Sequence, residues 1–353
     1  MMLEDLFKRE RLSARRLRKR LTRKKVLEER NERLAVLRLQ AEIVRAPEWF
    51  YLLKNNARNG VLGFLRELRD MAAAAPRITI DFRGTRKMDA GGTILFYAEL
   101  HRLQALFPHV RFGCLPSRTN KVNQVLQHLE IFRQLGHQSS VTPRLPDVVS
   151  WRHASANLVD CKSAGKVIEA YESLSHPNAK LLYRACSEAI TNVLMHAYED
   201  DRDDGLPTPG EKRWWMFCRE DSDALTMMVC DLGIGIPRSL PAKHAGEALG
   251  KIVSAITGGA IANDASMIEA AFELARTRTQ REHQGKGLSD LRKIIDANNG
   301  ARLLLFSNKG LVIIDSGGQP VKYGFTDSIL GTVIGWRLPL ESIGPTDAQQ
   351  VVL

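Results

Sequence analysis

No apolar run in the 353-residue sequence reaches the roughly 18 residues that a membrane-spanning helix needs, so a membrane-embedded chain is not expected. A secretory signal is not expected either, because Met1 to Lys8 carries Glu4 and Asp5 and no apolar segment ahead of a small-residue cleavage site. Cysteine is scarce and scattered. Its five copies (Cys114, Cys161, Cys186, Cys218, Cys230) include no Cys-x-x-Cys pair, which argues against a disulfide framework or a zinc site and fits a reducing cytoplasm. From Leu3 to Arg45 there is neither glycine nor proline. What is present is ordinary for a globular protein: 44% hydrophobic and 26% charged residues exclude global disorder. The length fits two domains and an appendage.

The net charge of +11 is concentrated at one end, because residues 1–45 hold 15 Lys/Arg against 7 Asp/Glu. That arm carries +8 and leaves +3 for the other 308 residues. Leu, Arg, Lys, Glu and Ala dominate it, all good helix formers, so a helix is expected. Two readings stay open for the arm. It binds nucleic-acid phosphates or an acidic partner through clustered cations, or it is an amphipathic helix that packs on its own protein or forms a homodimer.

Ala46-Pro47 ends that helix, since proline disfavours helical geometry in the residue before it. Beyond a helical stretch around Gly60 to Ala75, the β-branched alternation of Arg77 to Phe82 reads as a strand. A turn-rich loop, Gly84 to Gly92, follows. Thr93 to Leu106 then reads as a helix, Val110 to Leu115 as a strand and Lys121 to Leu135 as a further helix. Over Arg77 to Phe132 this order resembles a STAS domain, the module of anti-anti-sigma proteins, with Asp89-Ala90-Gly91-Gly92 at the place of the Asp-Ser-Ser-Gly-like helix cap. The resemblance implies a protein partner docking on this domain. It departs at Ala90 and Gly91, which have no hydroxyl to phosphorylate, while Thr93 lies inside the helix. Val141 to Ser150, with Pro143 and Pro146, reads as part of a linker over 141–153.

In a helix over Ala179 to Glu199, Asn192 falls about 40° and His196 about 80° from Glu188, opposite an arc of Leu182, Cys186, Ala189, Ile190, Val193, Leu194 and Ala197. This makes a polar stripe on a helix with a buried back. The apolar run Ala224 to Cys230 suits a central strand and leads into Asp231-Leu-Gly233-Ile-Gly235-Ile-Pro237. Glycines there let a ligand approach the backbone closely, and a carboxylate between strand and glycines suits the reading of a base edge. Downstream, Gln284-Gly285-Lys286-Gly287-Leu288-Ser289 opens a helix, where free N–H groups and the positive dipole end favour phosphate. A hairpin around Asn308-Lys309-Gly310 and a strand over Gly331 to Pro339 close the chain.

In this order and spacing the three segments resemble the GHKL (Bergerat-fold) ATPases, and most closely the anti-sigma-factor serine kinases, whose helix likewise ends in His-Ala-Tyr or a near variant. The fold class implied is α/β, with an N-terminal basic helix (1–45), a small STAS-like α/β domain (46–140), a linker (141–153), a C-terminal Bergerat α/β sandwich (154–342) and a tail (343–353). The resemblance implies ATP and Mg²⁺ as cofactors. Asp231 then accepts a hydrogen bond from the adenine amino group, and Asn192 holds Mg²⁺. Glu188 acts as general base. Gly233, Gly235, Gly285, Lys286, Gly287 and Leu288 cradle the nucleotide, and Thr332 supports adenine. A lid between Pro237 and Gly285, with Gly258-Gly259 as hinge, ends near Arg276, Arg278, Arg281 and His283, of which Arg278 is the candidate phosphate contact. Three roles stay open: an ATPase or serine/threonine kinase, an ATP-gated interaction module in a bacterial-type signalling system, and a nucleic-acid-linked ATPase using the basic arm.

Overall fold

The computed structural model describes residues 43–157, 165–166, 168, 175–208, 211–243, 247–278 and 287–343. Residues 1–42, where the basic arm falls, lie outside the described residues.

The chain is mixed α/β and is built as two layers. In the N-terminal layer, strands β1 (Ile43–Arg45), β3 (Arg77–Asp81) and β5 (Arg111–Leu115) form a parallel sheet in the order β1-β3-β5. A second, two-stranded parallel sheet joins β2 (Trp49–Phe50) to β4 (Lys87–Met88). Helices α1 (Asn55–Ala74) and α2 (Ala90–Leu106) connect these strands, and α3 (Asn120–His128) follows β5. The Asp89 side chain caps α2 by accepting the Gly92 N–H at 2.8 Å, which starts the helix three residues earlier than the turn-rich sequence implies. Thr93, inside α2, is fully buried, and its hydroxyl has no hydrogen-bond partner among the described residues. The expected helix over Lys121 to Leu135 is broken at Glu130, whose φ is 58°, and resumes as a single turn, Ile131–Gln134.

The C-terminal layer is one seven-stranded sheet in the order β11-β10-β9-β12-β8-β7-β6, antiparallel at every pairing. Its strands are β6 (Arg152–Ala156), β7 (Trp214–Glu220), β8 (Ala224–Asp231), β9 (Arg302–Ser307), β10 (Gly310–Asp315), β11 (Val321–Gly324) and β12 (Thr332–Pro339). Helix α4 (His176–Asn192) precedes β7. Between β8 and β9 lie α5 (Ile236–Lys243), α6 (Glu247–Thr257), α7 (Asp264–Arg278) and α8 (Gly287–Asp296).

Strand alternation sorts the two faces of the sheet. Trp214, Met216, Leu225, Met227, Val229, Ile334 and Trp336 pack with Leu182, Cys186, Leu291 and Ile295 of α4 and α8. Trp215, Phe217, Met228, Cys230 and Val333 point the other way, into the same core as Leu65, Leu68, Phe96 and Leu100 of α1 and α2. Burial on both faces explains why β8 is a continuous apolar run instead of an alternating one.

Two expectations are corrected. The end of the arm, Ile43–Arg45, is a strand and not helix, because Val44 is fully buried and pairs with Ile80 in the parallel sheet. The expected linker over 141–153 is packed: Gln124 Oε1 accepts the Arg144 and Leu145 N–H groups, Val148 and Trp151 are buried, and β6 already begins at Arg152. One face of the C-terminal sheet shares an apolar core with the N-terminal helices, while its other face builds a second core with α4 and α8. Heating is therefore expected to unfold both layers in a single calorimetric transition, and two well-separated peaks would contradict this packing.

Candidate functional site

The polar stripe lies on α4, whose buried back is Leu182, Ala185, Cys186, Ala189 and Ile190. Directly after Asn192 the helix widens into a π turn, Val193–Ala197, an irregularity that recurs at functional sites in helices. The turn delivers Tyr198 and Ala197 to the Asp231-to-Gly235 loop. Tyr198 Oη donates to the Arg213 carbonyl at 2.5 Å and accepts the Leu232 N–H at 3.3 Å, while the Ala197 carbonyl accepts the Ile234 N–H at 2.7 Å. A Cβ on Gly233 would lie 2.0 Å from the Ala197 carbonyl oxygen, so no other residue permits this approach. Gly235 takes a φ of 76°, which glycine adopts without strain.

Asp231 follows Leu225, Met227 and Val229 in the alternation of β8, so it projects on the face that carries α4. It pairs with Thr332 across β12 and is 5% exposed. Its Oδ1 accepts the Gly233 N–H at 2.9 Å. Burial raises its carboxyl from the usual 3.8 to about 6, against the opposing pull of the Gly233 N–H, the Thr332 hydroxyl and N–H, and the Arg202 guanidinium. Thr332 Oγ1 lies 3.1 Å from Ser307 Oγ, which accepts the Ile236 N–H at 2.9 Å. Asn308 ties the loop from behind, donating through Nδ2 to the Ile234 carbonyl at 2.8 Å and accepting the Gly331 N–H at 3.3 Å.

These elements surround a cleft of about 140 Å³. Asn192, Asp231, Gly235, Leu288 and Thr332 line it together with His196, and its remaining walls are mostly apolar, including Val193, Ile236, Leu240, Leu274 and Ile334. Five of the residues singled out in the sequence, among them Asp231 and Thr332, which lie 39 and 140 positions beyond Asn192, thus meet in one place. Gly233 sits in the loop behind the cleft, packed on Ala197. Glu188 lies one turn before Asn192, half-buried, and is not part of the lining. Gly285, Lys286, Arg281 and His283 lie outside the described residues, as do the side chains of Arg276 and Arg278. Helix α8 begins at Gly287, three residues before the expected start at Asp290. Between Pro237 and Gly285 the described residues form α5, α6 and α7, with Gly258 and Gly259 (φ 61° and 86°) turning the chain into an irregular stretch after α6.

Ser307 and Asn308 support the cleft floor, yet the sequence marks Asn308 only as a hairpin turn residue. No group of three His, Cys, Asp or Glu among the described residues forms a metal site. The amide oxygen of Asn192 suits Mg²⁺ only together with ligand phosphates and water. Comparisons with protein-family models, curated proteins and solved structures find no match.

The raised carboxyl has a consequence for stability. Asp231 is easier to protonate in the folded state, so its contribution is full below about pH 3.8 and is lost as pH rises through about 6. The Asp231→Asn protein escapes that loss. Its unfolding free energy relative to wild type is expected to gain on the order of 3 kcal/mol between pH 4 and pH 8, measured in urea. A pH-independent difference would show that burial imposes no ionisation cost at this position.

Proposed function

We propose that the chain is an ATP-binding regulatory protein of the GHKL type, in which Mg-ATP binding or turnover switches protein–protein interactions in a bacterial-type signalling system. One observation carries this reading: a buried, hydrogen-bonded carboxylate, Asp231, in a largely apolar cleft that also presents Asn192 and Thr332. An aromatic base fits the apolar walls. With one oxygen already accepting the Gly233 N–H, the carboxylate keeps acceptor capacity for an exocyclic amine. Guanine offers a carbonyl at that edge and would leave two acceptors facing each other. Bound Mg-ATP would supply the charge and the transferable phosphoryl group. The chain's own part is to orient: Asn192 toward metal and phosphates, and Glu188, one helical turn away, toward a water or hydroxyl as general base. Whether the protein is an ATPase, a serine/threonine kinase or a nucleotide-gated switch follows from what, if anything, Glu188 polarises.

The N-terminal layer is assigned the docking role for a protein partner, as the STAS resemblance implies. Ala90 and Gly91 offer no hydroxyl at the helix cap, and Thr93 is buried, which supports a constitutive docking surface over a phosphorylation switch. No helix among the described residues is long and apolar enough to cross a membrane. The cytoplasm is the proposed location.

Calorimetry with Mg-ATP and Mg-GTP tests the reading. ATP is expected to bind at least ten-fold more tightly, and Asp231→Asn, which turns an acceptor into a mixed donor and acceptor, is expected to remove most of that affinity. Equal binding of the two nucleotides contradicts the assignment. The two stripe residues should separate by defect: Glu188→Ala is expected to keep ATP binding while abolishing phosphate release or transfer, whereas Asn192→Ala weakens the Mg²⁺-dependent part of binding. Wild-type behaviour of both variants in both assays would leave the stripe a solvated face.

A further inference from the structure

Behind the cleft floor, on the opposite side of the sheet, lies a buried cluster of charge. Glu99 of α2, fully buried, faces three guanidinium groups. Arg102 Nη1 donates to its Oε1 at 3.1 Å and Arg202 Nη1 at 3.2 Å, while Arg69 Nη1 stands 3.4 Å from Oε2. Arg202 Nη2 also lies 2.9 Å from Oε2, an ion contact without hydrogen-bond alignment. Asp204 accepts from Arg102 Nη1 at 2.6 Å and pairs with Arg202 at 3.2 Å. Burial alone would raise the Glu99 carboxyl, yet the surrounding arginines hold it below its usual range. Three positive charges stand against two negative ones in this cluster, leaving one unit of positive charge on the side of the sheet behind Asp231.

Arg202 joins this cluster to the cleft. Its Nε donates to the Leu330 carbonyl at 2.7 Å. Leu330 is held at a φ of 55°, unfavourable for a leucine, and Gly331 and Thr332 follow it directly into the cleft wall. The same loop is gripped by α1: Arg58, fully buried, donates to the Asp327 carbonyl at 3.0 Å and stacks 4.0 Å from the Phe325 ring. Isolated buried charge clusters contribute little net stability, and hydrophobic replacements often do as well. A cluster that spans both layers and ends on the cleft wall calls for another role.

We propose that Arg202 is a positioning residue for the nucleotide cleft and that, through its pairing with Glu99, the N-terminal layer sets how tightly the cleft holds its ligand. The inference rests on the nucleotide reading for the ligand's identity, but the wiring itself is a property of the chain alone. Arg202 does two things at once. It fixes the backbone that places Thr332 beside Asp231, and its charge favours the ionised, hydrogen-bond-accepting form of Asp231. The other ionisable groups facing Asp231 are Tyr198 and Cys230, both of which its charge pushes toward their neutral forms, and Glu99 pushes Cys230 the same way. His196 lines the open side of the cleft. A partner that shifts α2 would thereby change nucleotide affinity, and nucleotide binding would reciprocally change partner affinity.

The test uses the full chain and four variants. Arg202→Met is expected to weaken Mg-ATP binding by at least ten-fold, and Glu99→Gln, on the helix of the other layer, by at least three-fold. Arg202→Lys keeps the cation but loses the Nε bond to Leu330, so affinity falls while the titration of Asp231 stays in place. Arg66→Ala removes only an exposed pair with Asp327 and is expected to stay within two-fold of wild type. A readout independent of nucleotide is the carboxyl carbon of Asp231 followed by NMR in the ligand-free protein, where Arg202→Met is expected to raise its midpoint. If wild type binds no ATP yet this shift appears, the ligand assignment falls and the wiring stands. Should Arg202→Met not fold, Arg202→Lys carries the test. Wild-type affinity in Arg202→Lys and Glu99→Gln, or an unmoved Asp231 midpoint in a folded Arg202→Met, overturns the proposal.

Discussion

A carboxylate buried at the end of a central strand is the constraint around which the C-terminal layer is arranged. Asp231 lies between β7 and β12 with almost no contact with water. Such a group is costly unless its oxygens are satisfied. The local architecture answers that cost through the Gly233 N–H, the Thr332 hydroxyl and N–H, and the guanidinium of Arg202. The arrangement in turn demands glycine at 233, because the loop that supplies the N–H passes against the Ala197 carbonyl at the end of the π turn. The geometry of the helix end, the loop and the cleft floor all follow from accommodating one charge.

Much of this was legible from residue pattern. The parity Leu225, Met227, Val229, Asp231 puts the acid on the same face as the apolar side chains that pack on α4, and the arc of Leu182, Cys186, Ala189 and Ile190 marks the buried back of that helix. The hairpin through Asn308 and the strand through Thr332 to Pro339 also announced themselves. Other features had no local signal. Trp214 to Cys218 is apolar without interruption, so no period distinguishes strand from helix there. The π turn after Asn192 arises from how the helix end meets the glycine loop, which is a tertiary circumstance. Val44 belongs to a strand because Ile80 is there to pair with it, although its neighbours are good helix formers. Glu99 and Arg202 are 103 residues apart, and nothing in either neighbourhood foretells their pairing.

The sheet is used on both faces, and this gives the two layers their relation. One face receives α4 and α8 and leaves a cleft at the strand ends, while the other is covered by α1 and α2. A seven-stranded sheet is too thin to insulate its faces from each other: alternate residues of one strand serve both, as Cys230 and Asp231 do. A partner docked on the N-terminal layer and a ligand on the far face would therefore be joined by the same backbone, with the proposed path through the arginine cluster beside it. This is the physical basis for the proposal that a ligand in the cleft and a partner on the N-terminal layer act on one another.

Amide hydrogen exchange of the full chain, read by mass spectrometry with and without Mg-ATP, tests the central claim most directly. Ligand binding in the cleft predicts protection in peptides covering Asp231 to Ile236 and Leu330 to Ile334, with weaker protection at Asp204 to Leu206 and within α2. Unchanged exchange across Asp231 to Ile236 and Leu330 to Ile334 at saturating Mg-ATP would contradict the account.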